Sequence, residues 1–165
     1  MTATTGMMGN TMEKAVLDDS LSALGRLMGL PALCFDGQGC CQLVFDERWL
    51  VTLVRQDARA RLYLHCPISP PGVAERLDAS VLQVMLQGNF MGRGAGGATL
   101  AIGQDRRACV QCEFPYAEAA DERMLMSGIE HLLASAETWA ARLERSPVES
   151  TTRMKRAPAF TRSLA

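Results

Sequence analysis

Residues 36–68 read DGQGCCQLVFDERWLVTLVRQDARARLYLHCPI, and this stretch decides the fold. Asp36-Gly37-Gln38-Gly39 is turn chemistry, because Gly reaches positive φ without strain and Asp bonds its own local backbone. Cys41, Leu43 and Phe45 then share one side of a strand, with Gln42 and Asp46 opposite. Asp46-Glu47-Arg48 is a second tight connection. Trp49 to Arg55 is apolar on both faces except at Thr52, and Gln56-Asp57-Ala58-Arg59 turns again. Leu62, Leu64, Cys66 and Ile68 alternate with Arg61, Tyr63 and His65, the period of a half-buried strand. Three strands on short turns make an antiparallel meander.

The flanks supply helices. Asn10-Thr11-Met12-Glu13 has the form of a capping box. Leu17, Leu21, Leu24 and Met28 follow at helical spacing, with Leu27 beside them, and Gly29 and Pro31 stop the run. A first helix is therefore expected over about 12–28. Beyond the meander, Ser69-Pro70-Pro71-Gly72 breaks the chain. Glu75 to Gln87 reads as a second helix, apolar at Leu77, Val81, Leu82, Val84, Met85 and Leu86. That set is wider than one stripe, so the helix must be covered on two sides. One side can be its own sheet; a partner subunit is the natural cover for the other. Gly92 to Gly97 reads as a flexible loop. Ala98 to Gly103 and Arg107 to Phe114 form a hairpin around Gln104-Asp105-Arg106, ended by Pro115. A last helix is expected from Ala119 to Glu144, with its stripe at Leu125, Ile129, Leu132, Ala136, Trp139, Ala140 and Leu143. The expected fold is α+β, in the order α-β-β-β-α-β-β-α, a twisted antiparallel sheet covered by helices.

Composition bounds the function. The chain has 165 residues, 48% hydrophobic and 21% charged, which is ordinary for one globular domain. Such a length buries roughly 70% of its unfolded surface and needs neither disulfide nor metal for a core. The net charge of −1 argues against phosphate-backbone binding. No apolar run reaches the ~18–20 residues of a membrane span, and residues 1–6 lack a signal peptide's basic and apolar regions. A cytosolic, cytoplasmic location is expected. Arg145 to Ala165 holds five cations and one anion, a net +4, which leaves −5 on the residues before it. The expected organisation is a disordered start over 1–11, a domain over 12–145 and a basic disordered tail over 146–165.

No motif nominates catalysis. Gly92-Arg93-Gly94-Ala95-Gly96-Gly97 matches G-x-G-x-x-G, but it leaves a helix and enters a strand, the reverse of a dinucleotide site. Cys109-Val110-Gln111-Cys112 is a C-x-x-C inside an expected strand, where its thiols face opposite ways; redox pairs usually open a helix. Cys34, Cys40, Cys41 and Cys66 are scattered, so structural thiols are expected in place of disulfides or zinc. His65 and His131 have no nucleophile near them in sequence. Asp18-Asp19 and Asp121-Glu122 sit in the first halves of helices, where the dipole favours anions. No enzyme activity, cofactor or metal is expected. The ten Met residues include Met28 and Met91, and Met suits both gap-filling and adaptable binding surfaces.

Four stretches then resemble one family. Leu27-Met28-Gly29-Leu30-Pro31 ends the first helix. Cys41 to Asp46 followed by Trp49 to Leu53 resembles the family's first hairpin. Leu82 to Asn89 resembles its L-x-x-x-L-x-x-N helix end, and Gly96 to Ile102 its glycine-rich strand entry. Together, over about 12–144, they resemble the class I type III secretion chaperones, the group that includes the Tir chaperone. The basic tail and the high Cys content depart from that pattern. The resemblance implies a homodimer that does not hydrolyse ATP. It implies a chaperone that holds the N-terminal segment of secreted effectors extended and export-ready; for the basic tail, which departs from the pattern, three outcomes stay open: contact with the secretion ATPase, contact with an acidic segment of cargo, or no contact. No membrane insertion or nucleic-acid binding is implied. The expected dimer seam is Leu82, Met85 and Leu86, and the expected cargo contacts are Met28, Phe35, Val44, Leu50 and Val54. Two alternatives stay open: an anti-activator-like regulatory binder of the same fold, and a small redox protein using Cys109 and Cys112. Nucleic-acid binding through the tail is a third.

Overall fold

In a computed structural model the described residues are 4–69, 79–92 and 95–145, with 4–10 described as backbone only. Helix α1 spans Thr4–Leu27 and leads into β1 (Cys40–Phe45), β2 (Trp49–Gln56) and β3 (Arg61–Pro67). Helix α2 (Ala79–Asn89) precedes β4 (Thr99–Ile102) and β5 (Ala108–Pro115). A short helix α3 (Tyr116–Ala119) and a long α4 (Glu122–Arg145) end the described chain. The expected order of elements is met. The basic tail, residues 70–78 with Leu77, and Arg93 and Gly94 of the glycine loop lie outside the described residues.

Two boundaries differ from the sequence reading. α1 begins at Thr4, so Asn10 lies inside the helix and does not cap it. Gly6 and Gly9 each cost about 1 kcal/mol against Ala, but unlike Pro they leave the backbone ladder intact. The expected single last helix is split at Ala120–Asp121. There the Asp121 Oδ1 accepts N–H bonds from Arg123 at 2.8 Å and Met124 at 3.3 Å, which starts α4 afresh as a side-chain cap does.

The five strands form one antiparallel sheet in the order β1-β2-β3-β5-β4. The β1–β2 turn places Asp46 at φ 51° and Glu47 at φ 54°, the left-handed region that tight hairpins favour. Arg48 N–H closes it onto the Phe45 carbonyl at 3.0 Å. The sheet's inner face is apolar: Cys41, Leu43, Val51, Leu53, Leu62, Leu64, Cys66 and Val110 are all buried. Leu17, Leu21 and Leu24 of α1 and Leu125, Ile129, Leu132, Ala136 and Trp139 of α4 cover that face. The period-two and period-3.6 patterns meet in one core, which fixes both register and helix rotation.

A polar cluster ties α1 to the sheet. Arg55, 9% exposed, pairs with Asp18 of α1 and lies 3.8 Å from Asp57. Asp57 also accepts bonds from the Tyr116 hydroxyl at 2.6 Å and from Lys14 at 2.9 Å. Those two donors hold the Asp57 carboxyl below its ordinary range. Burial and the neighbouring Asp57 push the Tyr116 phenol upward.

Candidate binding surfaces

The sheet has two edges, and the chain treats them differently. At the β4 edge, the Asn89 side chain acts as a substitute strand. Its Nδ2 donates to the Leu100 carbonyl and its Oδ1 accepts from the Leu100 N–H, each at 2.8 Å. Both outward backbone groups of Leu100 are thereby satisfied. Asn89 sits there because α2 packs tightly on α4. A Cβ on Gly88 would lie 2.5 Å from Trp139 Cζ2 and 2.8 Å from Leu100 Cδ1, so only Gly allows the approach.

Among the described residues the β1 edge is open. Arg55 N–H donates to the Gly39 carbonyl at 2.8 Å, which makes Gly39–Arg55 a hydrogen-bonded pair. Alternation along the ladder makes Cys41–Leu53 and Leu43–Val51 bonded pairs in turn. Cys40, Gln42 and Val44 therefore direct their backbone groups away from β2. Asp36 takes those of Cys40: its Oδ1 accepts the Cys40 N–H, and its own N–H donates to the Cys40 carbonyl, each at 2.8 Å. The backbone groups of Gln42 and Val44 remain on the rim. Beside them runs a groove between β1 and the Met28–Leu33 segment. It continues past Leu33 and Gln42 to Cys34 and Asp36. Its Val44 end is mainly apolar and its Asp36 end polar.

The expected cargo contacts divide three ways. Met28 lines the groove, half-buried. Val44 and Leu50 face each other across β1–β2 on the outer face of the sheet, while Val54 lies at the far end of that face opposite Cys40, separated from them by the Gln42–Thr52 pair. Phe35 is not brought to that surface. It is half-buried against the core, and the Arg55 guanidinium stacks 4.7 Å from its ring centre. Leu30, 44% exposed, lines the same groove, and sequence reading missed it because it lies in a loop without periodicity.

The α2 residues also divide. Leu82 and Leu86 are exposed on the outer side of the helix. Met85 points the other way and is buried at 3% exposure in the chain's own core, so it offers a partner almost no surface. Phe90, 74% exposed, continues the Leu82–Leu86 line and was missed, although i, i+4, i+8 spacing would have found it. Ala79, Leu82, Leu86 and Phe90 line a shallow apolar groove with Gln83 and Gln87. No charged residue occurs in Ala79–Asn89, a depletion typical of interface cores.

The thiols and histidines do not assemble a reaction centre. Cys109 and Cys112 sit on opposite faces of β5. Burial raises the Cys109 thiol and pushes Cys112 up to about 12, Cys66 to about 12 and Cys41 to about 11, the opposite of an activated thiolate. His65 is half-buried on the outer face and His131 is exposed on α4. The described part of the glycine loop is folded on itself, with Gly97 N–H on the Gly92 carbonyl at 3.1 Å and Ala98 N–H on that of Ala95 at 3.0 Å. Among the described residues no group of three His, Cys, Asp or Glu side chains is placed to hold a metal ion. No helix among them is long and apolar enough to cross a membrane.

Residues 20–140 match the Tir chaperone protein (CesT) family. The chain belongs to that family. Solved structures share its fold. A chain of the ExsC–ExsE complex superposes with a TM-score of 0.69 at 22% identity, over 78% of this chain and 94% of that one. In the HopA1–SchA chaperone–effector complex the values are 0.63 and 23%, over 81% and 97%. In the ExoU–SpcU heterodimer of the Pseudomonas aeruginosa type III secretion system they are 0.53 and 18%, over 77% and 97%. Comparison with curated proteins gives no match. The family's L-x-x-x-L-x-x-N helix end acquires a physical meaning in this member: Leu82 and Leu86 face outward while Asn89 seals the β4 edge.

Proposed function

We propose that the protein is a cytoplasmic, non-enzymatic chaperone of type III secretion, working as a homodimer. It holds an N-terminal effector segment extended along the open β1 edge. The observation that carries this reading is the asymmetry of the edges. Asn89 takes up the outward backbone groups of Leu100 in the short β4, whereas among the described residues Gln42 and Val44 leave theirs unpaired beside an apolar groove. An added strand gains backbone bonds there whatever its sequence, and the groove selects for apolar side chains at alternate positions. Val44 and Leu50 carry the apolar surface from the groove onto the outer sheet face, and Val54 adds a separate apolar position beyond the Gln42–Thr52 pair. Part of the contact energy goes into ordering the cargo, which keeps binding reversible enough for release at export.

The dimer seam is the uncharged outer face of α2 at Leu82 and Leu86, extended by Phe90. Three large apolar groups on one exposed line are unfavourable in water and self-complementary about a twofold axis. The test is affinity capture with the full chain in a secreting host, followed by limited proteolysis and mapping of what stays bound. Retention of short N-terminal pieces of secreted proteins supports the reading. Retention of only a folded regulator, resistant to proteolysis, refutes it.

A further inference from the structure

The groove beside β1 lies next to the point where the described chain ends. Glu144, in the last turn of α4, pairs with Arg48 in the β1–β2 turn at 4.0 Å. Val44, at the apolar end of the groove, is one residue before Phe45, which closes that turn. The segment after Arg145 therefore starts on the side of the sheet that carries the β1–β2 turn, and at about 3.3 Å per extended residue a few of its residues span the distance to the groove. Twenty residues follow Arg145, ample to run the length of β1 and beyond.

Charge favours the same path. Residues 146–165 carry Arg153, Lys155, Arg156 and Arg162 against one anion, Glu149. The carboxylate that lines the groove is Asp36, exposed at its far end; Asp46 and Glu47 are exposed in the β1–β2 turn, outside the lining. A strand entering beside Val44 and running antiparallel to β1 spends about six residues on the edge. That brings Arg153, Lys155 and Arg156 to the Asp36 end. Val148, Ser150 and Thr152 precede them, with the small and β-branched residues an edge strand accepts.

We propose that the segment after Arg145 folds back along β1 and occupies the groove until cargo displaces it. This rests on the cargo reading of the groove and adds its regulation. A tethered occupant works at high effective concentration, so even weak docking fills the site. It covers an exposed strand edge, a template for aggregation, when no effector is present. Incoming cargo has to outcompete a few bonds and a screened charge pairing, which sharpens selection for segments that bind well.

The experiment needs no effector. Amide hydrogen exchange at Gln42 and Val44 is followed by NMR in the full chain. It is compared with a chain of equal length in which residues 147–165 are replaced by Gly and Ser. In the full chain these two amides should exchange about three- to tenfold more slowly, with the inward amides of Cys41 and Leu43 unchanged. Raising salt from about 0.05 to 0.5 M should shrink the difference. The combined variant Arg153→Gln, Lys155→Gln, Arg156→Gln should fall between the two chains. A synthetic peptide of residues 146–165, added to the Gly/Ser chain, should restore the protection. Equal exchange at Gln42 and Val44 in both chains overturns the proposal. So does protection that ignores both salt and the three Gln substitutions. Because cargo is absent throughout, neither result depends on whether effectors bind the groove.

Discussion

Gly88 sits where α2 crosses the buried ring of Trp139, and Gly88→Ala tests whether that crossing positions both the seam and the sealed edge. On helix propensity alone the change should stabilise α2 by about 1 kcal/mol. The packing predicts the opposite sign. The new methyl would stand 2.5 Å from Trp139 Cζ2, closer still to Cη2, and 2.8 Å from Leu100 Cδ1. Carbon atoms settle at about 3.5–4.0 Å, so α2 has to lift by about 1 Å. Trp139 cannot yield: it is 1% exposed and braced by Arg142, 4.6 Å from its ring centre. Overpacking of this kind costs about 1–3 kcal/mol. Lifting α2 also strains the two 2.8 Å bonds from Asn89 to Leu100, at about 0.5–1.5 kcal/mol each. Less the propensity gain, the net loss is about 1–5 kcal/mol. With a urea slope of about 2 kcal/mol per molar, the midpoint falls by about 0.5–2.5 M at fixed protein concentration. Gly128→Ala is the internal control. Its methyl meets Phe114 Cζ at 2.8 Å, but Phe114 is only half-buried and its ring can swing, so the loss should be smaller. A Gly88→Ala chain as stable as the parent, or more stable, refutes the reasoning.

Other expectations follow from the same geometry. Leu86→Asp should dissociate the dimer. Leu86 is 71% exposed in the protomer, so burying it yields about 1–2 kcal/mol per copy, and losing both copies weakens the dimer about 30- to 1,000-fold by sedimentation equilibrium. A variant that stays dimeric at the same concentration counts against the α2 seam. Val44→Pro removes one outward N–H from the β1 edge and no bond of the fold, so effector capture should drop at least about tenfold while the melting temperature barely moves. Loss of capture only through unfolding would discredit the edge. Asp57 supports the fold as a carboxylate, through Tyr116 and Lys14. Its folded pKa is lowered, so its contribution is complete above the ordinary value near 4 and fades as pH falls through the folded pKa. The urea midpoint of Asp57→Asn should accordingly start lower at neutral pH and lose less than the parent's as pH falls below about 4. A parent midpoint flat across that range would contradict the assignment.

Much of the fold was legible because it depends on local periods. Leu62, Leu64 and Cys66 alternate in sequence and all three are wholly buried, and the α4 stripe from Leu125 to Ala140 is buried residue for residue. The excess apolar width of α2 was equally legible, and the structure resolves it into two sides. Met85 fills the chain's own core, while Leu82 and Leu86 stay outside. A period gives the angular spread of apolar residues; it does not say which part of that spread meets the sheet.

The amino-acid order by itself determined most of the elements, their antiparallel hairpins and the excess apolar width of α2, since each follows from neighbours within a few positions. Only the tertiary structure decided that β5 inserts between β3 and β4, leaving β1 as an edge. It also decided that Asn89 reaches Leu100 to seal the opposite edge, that Phe35 belongs under Arg55, and that Glu144 brings the end of α4 to the β1–β2 turn. These are meetings of residues far apart along the chain. They depend on how whole elements pack, which no local pattern encodes.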